Sequence, residues 1–236
     1  MLTIFKREFK SYFSSPFGYA FIAILWILFG LFFTLLYAGG SSQTNSIFNN
    51  YYVNISLMVA FIPVLTMRLM SEDKRLKTDQ LLRTAPIKSV DIVLGKFLAA
   101  FAIFAIGISI TLVYQIFLAC FVSVDWMVYL GCLVGVLLFG AALIAIGLFM
   151  SSLTESMVVA FVCSAAVSLV LVMLDFLTYL INGGLISKII SWISFSGRYS
   201  AFASGIFDYS NAVFFLSFAA VFLFLAVRVT ETKKWA

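Results

Sequence analysis

Long apolar blocks separated by short polar or charged stretches dominate the pattern of this chain. The first block, Phe17–Ala38, runs 22 residues without a charge, and about 20 apolar residues suffice for a helix to cross the hydrocarbon of a bilayer. Residues 51–70 form a second block, weakened by Asn54, Pro63 and Arg68. Pro63 removes one backbone hydrogen bond and is expected to kink this helix, while Arg68 sits near its end, where a long side chain reaches headgroups. Further blocks occupy residues 97–120, 127–150, 157–181 and 209–228. The pattern predicts an all-α integral membrane protein, a single transmembrane domain over residues 1–236 with six spanning helices. A basic start before an apolar run also describes a cleaved signal, but the first run exceeds the usual 7–15 residues of a signal core, so it reads as a retained helix.

Two segments outside the blocks have helical patterns of their own. In residues 2–13, Leu2, Phe5, Phe9 and Tyr12 recur at helical spacing, and Lys6, Arg7 and Lys10 lie mostly off that face. An apolar stripe beside a basic one suits an elbow helix lying in the headgroup region, with Ser14, Ser15 and Pro16 marking a bend. Ser71–Lys96 is the concentrated charged stretch. Ser71 can cap a helix whose first turn carries Glu72 and Asp73. Leu76, Leu81 and Leu82 supply apolar contact, and Lys74, Arg75, Lys77 and Arg83 face water. Pro86 stops this helix, and Ser89 with Asp91 starts the next. Gly39–Asn50 reads as an exposed polar loop. In residues 182–208, Leu185, Ile186, Ile189, Trp192 and Ile193 predict a short amphipathic or re-entrant helix.

Composition removes the soluble alternatives. Of 236 residues, 64% are hydrophobic and 11% charged, with a mean hydropathy of +1.13, whereas soluble domains carry about 25% charged residues. Charge then sets orientation. Placing the N-terminus inside puts 13 of the 15 Lys and Arg residues on the cytoplasmic side, leaving Lys188 and Arg198 outside. The expectation is a multi-pass protein of a plasma (bacterial cytoplasmic) membrane with both termini cytoplasmic. The net charge of +5 is thus mainly a topology signal, and no nucleic-acid partner is expected. Histidine is absent, and Cys120, Cys132 and Cys163 lie in apolar runs without ligand spacing, so they read as small hydrophobes and no metal site is expected.

A few residues stand out chemically. Asp175 is the only acidic residue well inside a block. Six residues before Ile181, it lies about 9 Å from that end at 1.5 Å per residue. Substrate or proton handling and simple snorkelling both suit it. Ser152 and Glu155 fit a capping box at the start of the fifth span. Gly131 and Gly135 permit close helix approach and read as packing. Ser71–Lys96 reads either as a solvated connector or as a docking element that transmits force from a cytoplasmic partner.

Three stretches carry a resemblance. Met67-Arg68-Leu69-Met70-Ser71-Glu72-Asp73 followed by Thr78-Asp79-Gln80-Leu81-Leu82-Arg83-Thr84-Ala85-Pro86, and then Leu94-Gly95-Lys96, resembles a signature of type-2 ABC exporter permeases. Gly147-Leu148-Phe149-Met150-Ser151-Ser152-Leu153-Thr154-Glu155 is similar to the family's turn after the fourth span. Arg7-Glu8-Phe9-Lys10-Ser11-Tyr12-Phe13 with Ser15-Pro16 and Gly18-Tyr19 is similar to its start, and together these look most like the gliding-motility-type branch. Lys77 stands where the signature has glycine.

The resemblance implies a permease, with export likelier than import, that works with a second permease subunit, identical or different, and with separate ATP-hydrolysing subunits. ATP and magnesium would reside on those partners and no cofactor on this chain, which has no G-x-x-x-x-G-K-[ST] phosphate loop and is not itself expected to be an enzyme. Glu72, Asp73, Lys74, Arg75, Thr78, Leu81, Leu82 and Arg83 would form the coupling helix on the ATPase, between the second and third spans, with Glu155 a minor second contact. The rival readings are an ion-coupled transporter or channel using Asp175, and a non-transporting membrane scaffold.

Overall fold

In a computed structural model, residues 1–38, 51–75, 88–121, 125–180, 194–205 and 207–235 are described, and every regular element among them is an α-helix. In chain order these are α1 (Leu2–Ser14), α2 (Pro16–Ala38), α3 (Tyr51–Thr66), α4 (Ser71–Arg75), α5 (Ser89–Ala119), α6 (Trp126–Leu153), α7 (Met157–Leu180), α8 (Phe195–Ala203) and α9 (Tyr209–Trp235). Among the described residues, five helical stretches are long and apolar enough to cross a membrane: Pro16–Leu35, Ile55–Arg75, Ser89–Ala119, Trp126–Leu153 and Tyr209–Thr232. A sixth apolar stretch, Met157–Met173 of α7, is shorter.

The bend at Ser14-Ser15-Pro16 separates α1 from α2, with Ser15 extended at φ −99° and ψ 150°. Proline opens α2, where its missing N–H costs nothing. Pro63 lies inside α3, which continues one further turn to Thr66 before a short turn leads into α4. The third span is longer than its apolar block. Its helix begins at Ser89, where the sequence starts it, and runs 31 residues to Ala119 without a break at 97, so Lys96 lies within one continuous helix.

α6 is the centre of the bundle, in contact with α3, α5, α7, α8 and α9. Small residues allow it. A Cβ added at Gly135 would stand 2.5 Å from Phe202 Cβ, and one at Gly131 would stand 3.5 Å from Gly205 Cα. The Gly131–Gly135 pair therefore receives the end of α8 within the chain. Gly205, at φ +78°, ends α8 in a conformation that a side chain would strain. Around this centre, α2 and α9 present long rows of exposed apolar side chains, among them Ile27, Leu31 and Leu35 on α2 and Val213, Leu216 and Phe224 on α9. Aromatic rings fill the space between α6, α8 and α9: Phe195 meets Phe139, Phe215 and Phe218 edge to face, with centroids 5.9, 5.5 and 4.7 Å apart. Each such pair adds about 0.5–1.5 kcal/mol beyond its buried area.

Candidate functional site

The three stretches that stood out in the sequence converge at one end of the bundle, where α1, α4, the start of α5 and the end of α6 meet. The helix α1 lies against α5 because Gly95 has no side chain: a Cβ there would come within 2.9 Å of Ile4 Cγ2. This contact selects which face of α1 is buried. Ile4 and Tyr12 are buried and Glu8, between them on the same face, is 13% exposed. Phe5, Phe9 and Phe13 stack along the neighbouring face, with successive ring centroids 5.8 and 5.0 Å apart. The expected stripe of Leu2, Phe5, Phe9 and Tyr12 is thus divided, since Leu2 is 71% exposed and Tyr12 belongs to the inward face. A regular apolar stripe marks what avoids water. It does not reveal the one carboxylate that a buried cation will recruit to the adjacent face.

That cation is Lys96. Its side chain is 2% exposed, and Nζ lies 3.1 Å from Glu8 Oε1 and 2.6 Å from Asp73 Oδ2. Arg7 closes the cluster, 2.5 Å from Glu8 Oε1 and 3.9 Å from Asp73 Oδ2. Two cations and two carboxylates from α1, α4 and α5 form one ionic joint. A charge so buried is tolerated only when it is paired, and here two carboxylates pair it. Neither Glu8 nor Lys96 was a candidate site residue in the sequence. Lys96 reads there as one of the cytoplasmic charges and as the end of the Leu94-Gly95-Lys96 stretch, and Glu8 only as part of the stretch at the start of the chain.

A second set of bonds seats α4 on α6. Ser151 Oγ accepts the N–H groups of Met70 and Ser71, both at 3.0 Å, and lies 3.3 Å from Met67 O, to which it can donate. These are N–H groups at the turn into α4, buried away from water, and the hydroxyl supplies what helix geometry leaves open. Lys74 Nζ donates to Ser152 O. Arg68 makes a bidentate pair with Glu72, at 2.7 and 2.6 Å, and stacks over Phe17 at 4.7 Å. Tyr12 OH donates to Leu65 O across 3.1 Å. Burial first, and the charge of Glu8 second, push the Tyr12 phenol above its ordinary value, so it stays the protonated donor that this bond requires. Ser151→Ala is expected to destabilise the protein by about 1–3 kcal/mol, since it leaves buried N–H groups unpaired. Denaturation of the two proteins in the same detergent measures this, and a change below 0.5 kcal/mol, about the error of such comparisons, would refute the clamp.

The remaining candidates fall elsewhere. Of the proposed coupling residues, Glu72, Asp73 and Lys74 are engaged within the chain as above and Arg75 is exposed at the end of α4. Thr78, Leu81, Leu82 and Arg83 lie outside the described residues, as does the 182–193 part of the expected outer helix. The capping box does not form. α6 continues through Leu153, so Ser152 belongs to that helix and its Oγ donates to Phe149 O at 2.6 Å. Glu155 is exposed in the turn, and Ser156 N–H donates to Thr154 Oγ1 at 3.2 Å. Asp175 lies on α7 by its backbone, and its side chain is outside the described set. None of the three cysteines is in a disulfide; Cys132 is buried on α6, its thiol donating to Phe202 O at 3.4 Å, and Cys120 and Cys163 are exposed.

A family model described as "ABC-2 family transporter protein" matches residues 39–229. The matched stretch takes in α4, Lys96 and the Ser151 clamp and stops short of α1. No curated protein matches the chain.

Proposed function

The chain belongs to the ABC-2 family of transporter proteins, a family of membrane transport subunits, and from that premise we propose that this permease is the exporting half of an ATP-driven transporter coupled through residues 71–86 to a separate ATPase subunit. Two such permeases, identical or different, pair around the pathway. ATP and magnesium act on the partner subunit. The basic end of the bundle, with both termini, faces the cytoplasm of a plasma membrane, α7 serves as the sixth span, and α1 lies at the cytoplasmic headgroups as an elbow with Phe5, Phe9 and Phe13 toward lipid.

The observation that carries this reading is the anchoring of α4. A coupling element must be rigidly joined to the helices it moves. α4, which leads directly into residues 76–86, is bonded to α1 and α5 through Lys96 and to α6 through Ser151. Force applied to the 71–86 segment would therefore reach three helices at once.

The same geometry selects the test. Charge reversal at Asp73 breaks the internal joint and says nothing of a partner. Arg75, exposed, and Arg83 are the residues to reverse. The full chain purified from its native membrane in mild detergent is expected to bring down an ATP-binding subunit, and Arg75→Glu with Arg83→Glu to release it while leaving the thermal stability of the permease within about 0.5 kcal/mol, as surface substitutions do. Recovery of the chain without any ATP-binding protein overturns the proposal. In that event a transport defect from Asp175→Asn would support ion coupling, and its absence a scaffold.

A further inference from the structure

A groove of about 330 Å³ opens between the start of α5 and the last turns of α9, walled by Val90, Leu94, Leu223, Phe224 and Val227 and ended by Arg228 and Glu231. It holds on the order of ten water volumes at ~30 Å³ each, enough for a length of hydrocarbon chain. Its α9 side is one helical face, and Leu223 to Glu231 spans about 12 Å at 1.5 Å per residue. Every lipid-facing groove is covered by hydrocarbon. What distinguishes this one is the pair of opposite charges at its polar end.

Arg228 Nη1 lies 3.5 Å from Glu231 Oε2, with side chains 66% and 40% exposed, and the guanidinium sits 5.1 Å above the Phe224 ring. Among the described residues Glu231 is its only ionic partner, held by this single long contact. The guanidinium therefore keeps a fork that suits a phosphate, and the carboxylate keeps acceptor capacity for a cation.

We propose that this groove binds a phospholipid bearing a phosphoethanolamine headgroup, with the phosphate on Arg228, the primary ammonium on Glu231 and an acyl chain along Leu94, Leu223 and Val227. The headgroup carries one charge of each sign, separated by two carbons, and so matches both groups of the site. A choline headgroup has the phosphate but no N–H to donate to Glu231. A glycerol headgroup carries a net negative charge and offers Glu231 only neutral hydroxyls, whose hydrogen bonds are weaker than charge-assisted ones. The proposal rests on the chain spanning a bilayer and not on an ATPase partner, so it is decided separately from the capture experiment.

The test uses the full chain, delipidated in mild detergent and titrated with ethanolamine, choline and glycerol phospholipids of identical acyl chains. Native mass spectrometry counts bound lipid and thermal unfolding reads stabilisation. The ethanolamine lipid is expected to bind roughly tenfold more tightly than the choline lipid, the scale of one charge-assisted hydrogen bond. Glu231→Gln should remove that preference and Arg228→Gln should weaken all three lipids. Leu94→Trp, which fills the groove and spares the charged pair, should abolish uptake in a protein that still unfolds cooperatively. Equal binding of ethanolamine and choline lipids, tighter binding of the glycerol lipid, or a preference that survives both Glu231→Gln and Leu94→Trp would each overturn the assignment.

Discussion

Lys96→Met is expected to destabilise this permease by about 3–5 kcal/mol, the cost of removing one partner from a buried ionic group. Methionine fills a similar volume, so the loss is electrostatic. Glu8 and Asp73 both reach the same nitrogen, and without it two largely buried carboxylates, 13% and 21% exposed, lose their shared ammonium. Arg7 cannot replace the lysine. Its side chain is 48% exposed, so solvent screens its contacts with Glu8 at 2.5 Å and Asp73 at 3.9 Å, and Arg7→Ala should cost less than about 1 kcal/mol. The triple variant Lys96→Met, Glu8→Gln, Asp73→Asn removes the stranded charges and should recover much of the loss. Denaturant titration in one detergent ranks the four proteins. A Lys96→Met protein as stable as the parent would show that the joint is not held by this ammonium. If α4 also transmits the stroke of an ATPase, the triple variant should remain folded while its transport falls, because neutral amides no longer tie α1, α4 and α5 into one body.

Gly147→Ala should cost about 1–3 kcal/mol, the range for overpacking a filled core, even though alanine is the better helix former by up to about 1 kcal/mol. The added Cβ would lie 2.0 Å from Thr66 Oγ1 and 2.6 Å from Thr66 Cβ. Thr66 is fully buried and its hydroxyl is bonded to Ile62 O at 3.1 Å, so rotation of one side chain gives no relief and α3 must move away from α6. Gly107→Ala is the control. Its new methyl would meet one atom, Leu25 Cδ1 at 2.8 Å, the far end of a flexible chain, and helix propensity should make that change close to neutral. Thr66→Ala in the Gly147→Ala background removes the 2.0 Å contact but leaves the 2.6 Å one, so rescue should be partial. Thermal unfolding distinguishes the cases, and equal effects at Gly147 and Gly107 would refute the close crossing of α3 and α6. The crossing also positions the candidate site, since Ser151 on α6 lies one turn beyond Gly147 and receives the turn that follows Thr66.

Much of the candidate site was legible, but in separate pieces. The Ser71 start with Glu72 and Asp73 and the bend before Pro16 were visible as local signals, because proline geometry and charge at a helix start act within a few residues, whereas the turn expected at Ser151-Ser152 falls inside α6. Their meeting was not visible. Lys96 touches residues 88 positions earlier and 23 earlier in the chain, and a pairing at that separation depends on how the intervening helices cross.

The sequence by itself determined that this chain lives in a bilayer, where the apolar blocks lie and where α1 breaks from α2. These follow from local composition and spacing, and from the requirement that every backbone group in lipid be bonded within a helix. The tertiary structure alone decided which apolar helix would be the core. The blocks of α2 and α6 are both apolar throughout, yet 28% of the span in α2 is buried within the protein against 72% of that in α6. Lipid tails are as apolar as leucine, so hydrophobicity does not separate the protein interior from the lipid face. What separates them is shape, in the glycines that let helices touch, and the few buried charges that must find one another.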